Sequence, residues 1–197
     1  KKTREFQRPN FSTFNSNTTF YEKEITGAMD QSFQLTLLTS DQADEIFSYL
    51  KQLDLHYERV SEGCFARAHY ITRELEEMGI LSGKVFHIAP DGQTISYQGN
   101  QQSSNTKWDY HVAPFILVSG KGGKIEKRVL DPSLFKKPVP IKKWIKNQVI
   151  DNKPFSDKNL FIKPRFAYTN HDKYASFWKW QLEDFEHMDE ILEQSEQ

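Results

Sequence analysis

The sequence has very little cysteine: Cys64 is the only one among 197 residues. A single thiol excludes a disulfide framework within the chain and a cysteine-rich metal site. The six histidines show neither the HExxH nor the HxH spacing that is common in metal sites. We therefore expect no metal and no other cofactor.

Long apolar runs and an excess of charge of one sign are also missing. No apolar run approaches the roughly 20 residues of a membrane helix, and residues 1–6 carry no hydrophobic signal segment. Lys and Arg number 26 against 27 for Asp and Glu, so no basic excess favours nucleic acid or anionic lipid. We expect neither as a partner, while the oligomeric state cannot be read from the sequence. Because the chain does not begin with Met, we expect it to be processed or excised from something longer.

Aromatic residues are plentiful, at 14% of the chain, and supply enough large apolar surface for a core. The length suits one globular domain. Helical and strand patterns alternate along it. The predicted elements are an extended arm or edge strand near residues 32–37, a helix at 41–53 with a Thr39/Gln42 capping box, a hairpin at 84–97 turning at 90–92, strands at 108–119 and 124–130, a short helix at 140–149, a strand at 159–169 and a final helix at 172–194.

The cysteine lies at the start of a second predicted helix. Apolar residues follow it at helical spacing until Gly79, in the order Cys64, Ala68, Ile71, Leu75 and Met78. At a helix N-terminus, unpaired N–H groups and the helix dipole favour thiolate over thiol. We expect a lowered pKa for Cys64, and the same N–H groups could bind an oxyanion.

Two later segments supply a histidine and an aspartate. If Gly120–Gly122 is a three-residue loop, Ser119 pairs with Gly123 and His111 stands directly opposite Asp131. Such cross-strand neighbours have Cβ atoms about 4.5–5.5 Å apart, within reach of a hydrogen bond. A slip of one residue would send the two side chains to opposite faces. Cysteine, base and orienting acid are the groups of an acyl-transfer catalyst.

Plainer interpretations exist for these and neighbouring residues. A buried free cysteine is usually an inert small hydrophobe. Trp108 and Tyr110 flank the base and could line an acyl-binding cleft, although aromatics before a buried strand more often belong to the core. For three further residues we expect structural roles: local packing or hydrogen bonding for His69, ion pairing for Arg67 and a turn for Ser133.

Three segments closely resemble the bacterial protein-glutaminases, which hydrolyse the side-chain amide of glutamine within proteins. They are Gly63-Cys64-Phe65-Ala66-Arg67-Ala68-His69, Trp108-Asp109-Tyr110-His111-Val112-Ala113 and Lys127-Arg128-Val129-Leu130-Asp131-Pro132-Ser133-Leu134-Phe135. The resemblance covers roughly residues 37–150. It implies a single α+β domain of the transglutaminase-like, papain-like fold, with an antiparallel sheet packed against helices and a catalytic cysteine at a helix N-terminus.

The resemblance also implies an activity. Cys64 would form a thioester with a protein glutamine, His111 would act as base and acid, and Asp131 would orient it, with release of ammonia and no cofactor. Residues 37–197 would form the catalytic domain, and residues 1–36 an N-terminal arm or pro-segment-like extension. The chain would be secreted by a bacterium or delivered into a target cell.

Rival functions stay open at this point. The same three groups could serve transglutaminase crosslinking, where an amine rather than water resolves the thioester, or a cysteine protease. From a different class, the domain could be a catalytically silent toxin or effector module that only binds a protein.

Overall fold

The computed structural model describes residues 8–9, 22–27, 30–99, 106–151, 153, 157–172 and 177–194. Within them the fold is α+β, as predicted. The helices are α1 (Ser40–Leu50), α2 (Cys64–Glu77), α3 (Ile141–Ile145) and α4 (Leu182–Glu193). The strands are β1 (Glu22–Thr26), β2 (Ser32–Thr39), β3 (Gly83–Ile88), β4 (Ile95–Tyr97), β5 (Lys107–Trp108), β6 (Tyr110–Ser119), β7 (Ile125–Val129), β8 (Val139–Pro140), β9 (Gln148–Ile150) and β10 (Leu160–Pro164).

Seven strands form the main sheet, in the order β1-β2-β6-β3-β10 with β7 and β8 attached through β6. The pairs are antiparallel except for β2 with β6, which run parallel, so the sheet is antiparallel with one exception. The alternation near residues 32–37 belongs to β2, which lies inside the sheet, and β1 forms the edge beside it. The predicted boundary between residues 36 and 37 falls inside β2. Most of the segment 1–36 lies outside the described residues.

The predicted hairpin at 84–97 is wrong. The turn itself forms, with the Gln93 N–H donating to the Pro90 carbonyl at 2.9 Å. However, β3 pairs with β6 and β10, whereas β4 pairs with β5 and β9 in a separate three-stranded sheet. Ile95 and Tyr97 of β4 pack there against Trp108 and Ile150, and this apolar cluster decides which partners β4 takes.

Helix α1 begins as its capping box predicts. The Gln42 N–H donates to the Thr39 hydroxyl at 3.2 Å, and the Thr39 N–H donates to the Gln42 side-chain oxygen at 2.8 Å. Two backbone donors that a helix start would leave unpaired are thereby satisfied. The helix then buries Ile46, Phe47 and Leu50.

The core lies on both faces of the main sheet. On one face α1 and α2 cover Ile116 and Val118 of β6. On the other face α3 places Trp144 and Ile145 against Phe115 and Leu117 of the same strand. Alternate residues of β6 therefore meet different helices, as the two-residue period of a strand requires.

The predicted register of β6 and β7 is wrong by two residues. Ser119 pairs with Ile125, so the connection is a five-residue loop, Gly120–Lys124, instead of a three-residue one. His111 is consequently not directly opposite Asp131. Because the shift is even, both side chains stay on the face that the prediction gave them.

The later elements are shorter than predicted. Helix α3 ends at Ile145 and gives way to β9, and β10 ends at Pro164. The last helix begins at Leu182 instead of 172, and residues 173–176 lie outside the described residues. None of the helices in the described ranges is both long and apolar enough to cross a membrane.

Candidate active site

Cys64 is the first residue of α2, as the sequence predicted. The helix begins here because Gly63 adopts a left-handed conformation, with φ of 73°, that turns the chain into it. The side chain is only 8% exposed and packs in an apolar cluster that includes Val112, Ala167 and Phe177. The thiol is therefore recessed, and a reacting group must reach inward to it.

His111 and Asp131 form a buried hydrogen-bonded pair. The distance from His111 Nε2 to Asp131 Oδ2 is 2.9 Å, and the two residues are 1% and 5% exposed. His111 is near the start of β6. Asp131 lies just beyond the end of β7, where the N–H of the preceding Leu130 donates to the Pro114 carbonyl of β6. With Cys64 they line one small pocket between α2 and the sheet.

The turn after β7 holds the carboxylate. The Ser133 N–H donates to Asp131 Oδ1 at 3.2 Å, and the Leu134 and Phe135 N–H groups donate to the Asp131 carbonyl. An aspartate that accepts a hydrogen bond from the residue two positions on is typical of such turns. Ser133 is thus a turn residue, as expected.

Mutual electrostatics favour a charged thiolate and imidazolium. Burial disfavours the charge on His111, but the hydrogen bond and charge of Asp131, with a contribution from Cys64, raise its pKa to about 9. Burial likewise would raise the pKa of Cys64. The hydrogen bond and charge of His111 outweigh it, helped by the Val112 N–H and the Arg67 charge, and the pKa of Cys64 is lowered.

The two nitrogens of His111 are in different surroundings. Burial would raise the pKa of Asp131, but the hydrogen bonds from His111 and Trp144 outweigh burial and lower it. Asp131 is therefore an ionised carboxylate, which can only accept hydrogen bonds. Nε2 must then carry a proton. Nδ1 is buried and, apart from the Cys64 thiol, has no hydrogen-bond partner among the described residues, so in the neutral ring its lone pair is available to a proton from the thiol.

Arg67 stabilises the loop that leads to the cysteine. Its guanidinium donates to the carbonyls of Arg59 at 3.0 Å and of Glu62 at 2.7 Å. The predicted structural role is right, but among the described residues its hydrogen bonds go to backbone carbonyls instead of the carboxylate that ion pairing needs. The positive charge lies near both Cys64 and Asp131 and lowers the pKa of each.

Trp108 and Tyr110 contact different members of the site. The Trp108 ring stacks with His111 at 4.4 Å between centroids and 13° between planes, and its indole N–H donates to the Val60 carbonyl at 3.0 Å. The half-buried Tyr110 packs in the Cys64 cluster and stacks with Phe86. Burial raises the pKa of Tyr110, and the Cys64 charge adds to the shift. Trp108 therefore contacts His111, and Tyr110 packs against the cluster that contains Cys64.

His69 lies outside the pocket and belongs to a separate buried group. Its Nδ1 accepts from Lys84 Nζ at 2.9 Å, and Lys84 also donates to the Ala167 carbonyl. Burial, followed by the Lys84 charge, lowers the pKa of His69 to about 2, so this imidazole is neutral. The partner is 15 positions away along the chain, so the expected hydrogen bond exists but is not local. Within the described ranges, no cluster of three or more His, Cys, Asp or Glu could hold a metal ion.

One residue of the site was missed by the sequence analysis. The fully buried Trp144 of α3 donates its indole N–H to Asp131 Oδ2 at 2.8 Å and stacks with His111 at 5.3 Å. The sequence predicts only that it lies in the short helix at 140–149. The available signal was that a buried tryptophan needs a partner for its N–H.

The paired charges predict a pH dependence for thiol alkylation. Iodoacetamide should modify the wild-type protein with a pH midpoint below the value of about 8.5 for an ordinary thiol, because the imidazolium stabilises the thiolate. His111→Gln should raise that midpoint, and His171→Gln, at an exposed histidine, should not. Mass spectrometry gives the rate directly, since the chain has one cysteine. Equal midpoints for all three proteins would contradict the pairing.

Solved structures resemble this fold. The NMR structure of protein-glutaminase from Chryseobacterium proteolyticum matches with a TM-score of 0.58 and 17% identity over 77% of this chain and 85% of that one. A crystal structure of protein-glutaminase matches with a TM-score of 0.56 and 17% identity over 79% of this chain and 89% of that one. A crystal structure of pro-protein-glutaminase matches with a TM-score of 0.56 and 16% identity over 84% of this chain and 63% of that one. At these identities the likeness establishes the fold class: α+β with the protein-glutaminase fold.

The family follows from the sequence match. Residues 43–148, more than half of the chain, match the family model described as glutaminase, and the chain belongs to this family. The match confirms the resemblance that the three segments carried. It spans Cys64, His111, Asp131 and also Trp144. Comparison with curated proteins gives no match.

Proposed function

We propose that this protein hydrolyses the side-chain amide of glutamine residues in other proteins, giving glutamate and ammonia, with Cys64 as nucleophile. Membership of the glutaminase family supports glutamine deamidation. The observation that carries the mechanism is the convergence of Cys64, His111 and Asp131 in one pocket, with Nδ1 of His111 left for the thiol.

Acylation begins from the charged pair, in which the thiol proton has already passed to His111 Nδ1. The thiolate attacks the carboxamide carbon, and the oxyanion that forms is stabilised by backbone N–H groups near Cys64. The C–N bond then breaks as His111 returns its proton to the leaving nitrogen, and ammonia departs. A thioester between the substrate and Cys64 remains.

Water completes the cycle. His111 accepts a proton from the water that attacks the thioester, the C–S bond breaks, and the thiolate is regenerated together with glutamate. Asp131 keeps Nε2 protonated throughout and stabilises the imidazolium. In this mechanism Trp108 and Tyr110 line the cleft that holds the acyl group.

The recessed thiol favours a side-chain amide over a peptide bond. Cys64 is 8% exposed, and a main-chain carbonyl has chain on both sides that would need an open groove. A glutamine carboxamide stands at the end of a slender stem and can enter alone. The proteins in the similar structures are named protein-glutaminase, which supports a protein substrate here too.

The test is incubation with an unfolded, glutamine-rich protein such as β-casein, with ammonia measured and the product mapped by mass spectrometry. We expect ammonia and a gain of about one mass unit per modified glutamine, the change for amide hydrolysis. Backbone cleavage would identify a protease, and incorporation of a labelled primary amine would identify a transglutaminase. Neither ammonia nor any modification would indicate a binding module.

A further inference from the structure

We propose that Trp144 is a positioning residue for the Asp131 carboxylate and, through it, for the His111 imidazole. The inference rests on the proposed function, because it assigns the residue that orients the acid and base of that reaction. The Asp131 and Trp144 side chains come from different elements, the turn after β7 and helix α3, and meet only in the folded protein.

Two donors meet at a single oxygen of Asp131. Trp144 Nε1 lies 2.8 Å and His111 Nε2 lies 2.9 Å from the same Oδ2. The other oxygen, Oδ1, accepts from the Ser133 N–H. A carboxylate with both oxygens engaged cannot rotate about its last bond without breaking a hydrogen bond, and bonds to a charged acceptor are the stronger kind.

The same indole also contacts the imidazole by its face. The Trp144 and His111 rings are 5.3 Å apart between centroids and lie within 23° of parallel. Trp144 therefore acts on two coordinates of the pair: its N–H fixes the carboxylate oxygen, and its ring restricts the tilt of the imidazole. Sub-ångström positioning of this kind affects the reacting step more than substrate binding.

The orientation of Trp144 is itself set by buried contacts. The Gln148 side-chain N–H donates to the Trp144 carbonyl at 3.0 Å, and Gln148 Oε1 lies 3.0 Å from Nδ1 of His87. His87 faces His111 across the β3 and β6 pair. Trp144, Gln148 and His87 are all fully buried, so these contacts cannot be replaced by solvent without opening the core.

The charged and titratable groups that face the carboxylate determine the pH readout. They are His111 from β6, Arg67 from α2, Tyr57 from the loop before α2 and Tyr97 from β4. Without the indole donor, burial of Asp131 is opposed less strongly and the group takes up a proton at higher pH. His111 then loses its anionic partner, and the thiolate is lost with it. The acid limb of the activity profile should therefore move to higher pH.

The test compares Trp144→Phe with Trp180→Phe. Trp180 is a matched control, because its indole N–H also donates to a carboxylate, Glu76 Oε2 at 2.8 Å, outside the pocket. In Trp144→Phe we expect kcat on the protein substrate to fall about 10- to 100-fold, the equivalent of one hydrogen bond to a charged group. KM should stay within about twofold because substrate binding is retained, and the acid limb of the activity profile should move to higher pH. Trp180→Phe should change neither kcat nor the position of the acid limb.

A wild-type measurement covers the case in which Trp144→Phe does not fold. In ¹H–¹⁵N spectra the Trp144 indole and His111 Nε2–H resonances should titrate together at low pH, and the Trp180 indole resonance should not follow them.

If the wild-type protein released no ammonia, the proposed function would fail by itself, and the alkylation midpoint of Cys64 would become the readout. It should rise in Trp144→Phe only. An unchanged kcat and acid limb, an unchanged alkylation midpoint, or indole and imidazole resonances that titrate independently would overturn the role of Trp144.

Discussion

Replacing Cys64 with alanine is expected to reduce ammonia release from a glutamine-containing protein to background, a loss of about 10³-fold or more. Alanine cannot form the thioester, and the remaining groups contribute only binding and charge stabilisation. The fold should survive, because the side chain is small and lies in an apolar cluster at the start of α2. Ammonia release and far-UV circular dichroism measure the two parts of the prediction.

Thr72→Ala is a suitable control for this substitution. Thr72 is fully buried on the same helix, and its hydroxyl donates to the Ala68 carbonyl at 3.0 Å, away from the reacting groups. It should retain most of the activity while suffering a comparable loss of side-chain volume. Full ammonia release by Cys64→Ala would show that the nucleophile lies elsewhere and would end the proposal.

Asp131→Asn is expected to have the next largest effect, lowering kcat by about 10⁴-fold by comparison with the same change in a serine protease triad. An amide cannot hold the imidazolium as a carboxylate does, and it permits the wrong tautomer of His111. The pKa of His111 should fall from about 9 towards its ordinary value. Asp109→Asn makes the same charge change at an exposed position two residues from His111 and should leave kcat unaltered.

The same substitution should alter the pH dependence of stability. The pKa of His111 is higher in the folded protein than in the unfolded chain, so protonation of His111 stabilises the fold. This contribution is complete below about pH 6.5 and is lost as the pH rises through about 9. The lowered pKa of Cys64 acts in the opposite sense over the same interval, so the test uses Cys64→Ala, in which the free energy of unfolding should decrease as the pH rises. When Asp131→Asn is added to Cys64→Ala, the decrease should be smaller, as measured by urea unfolding at several pH values. An equal slope in the two proteins would show that the carboxylate does not raise the pKa of His111.

The sheet shows why some predictions survive an error and others do not. The β6 and β7 register was two residues off because the loop length could not be read from a run of three glycines and two lysines. The His111 and Asp131 contact survived because an even shift preserves the face. The hairpin at 84–97 did not survive. Its turn depends on nearby residues, but the partner of each strand depends on which apolar surfaces meet in the folded protein.

Local sequence was sufficient to predict the elements that depend on near neighbours: the capping box of α1, the apolar stripe of α2 with Cys64 at its start, and the strands on both sides of the glycine-rich loop. These follow from hydrogen bonds and side-chain contacts within a few residues. Tertiary structure alone decided that Trp144 shares an oxygen of Asp131 with His111 and that Nδ1 is the nitrogen left for the thiol. Those contacts join α3, β6 and the turn after β7, and no spacing along the chain encodes the distance between them.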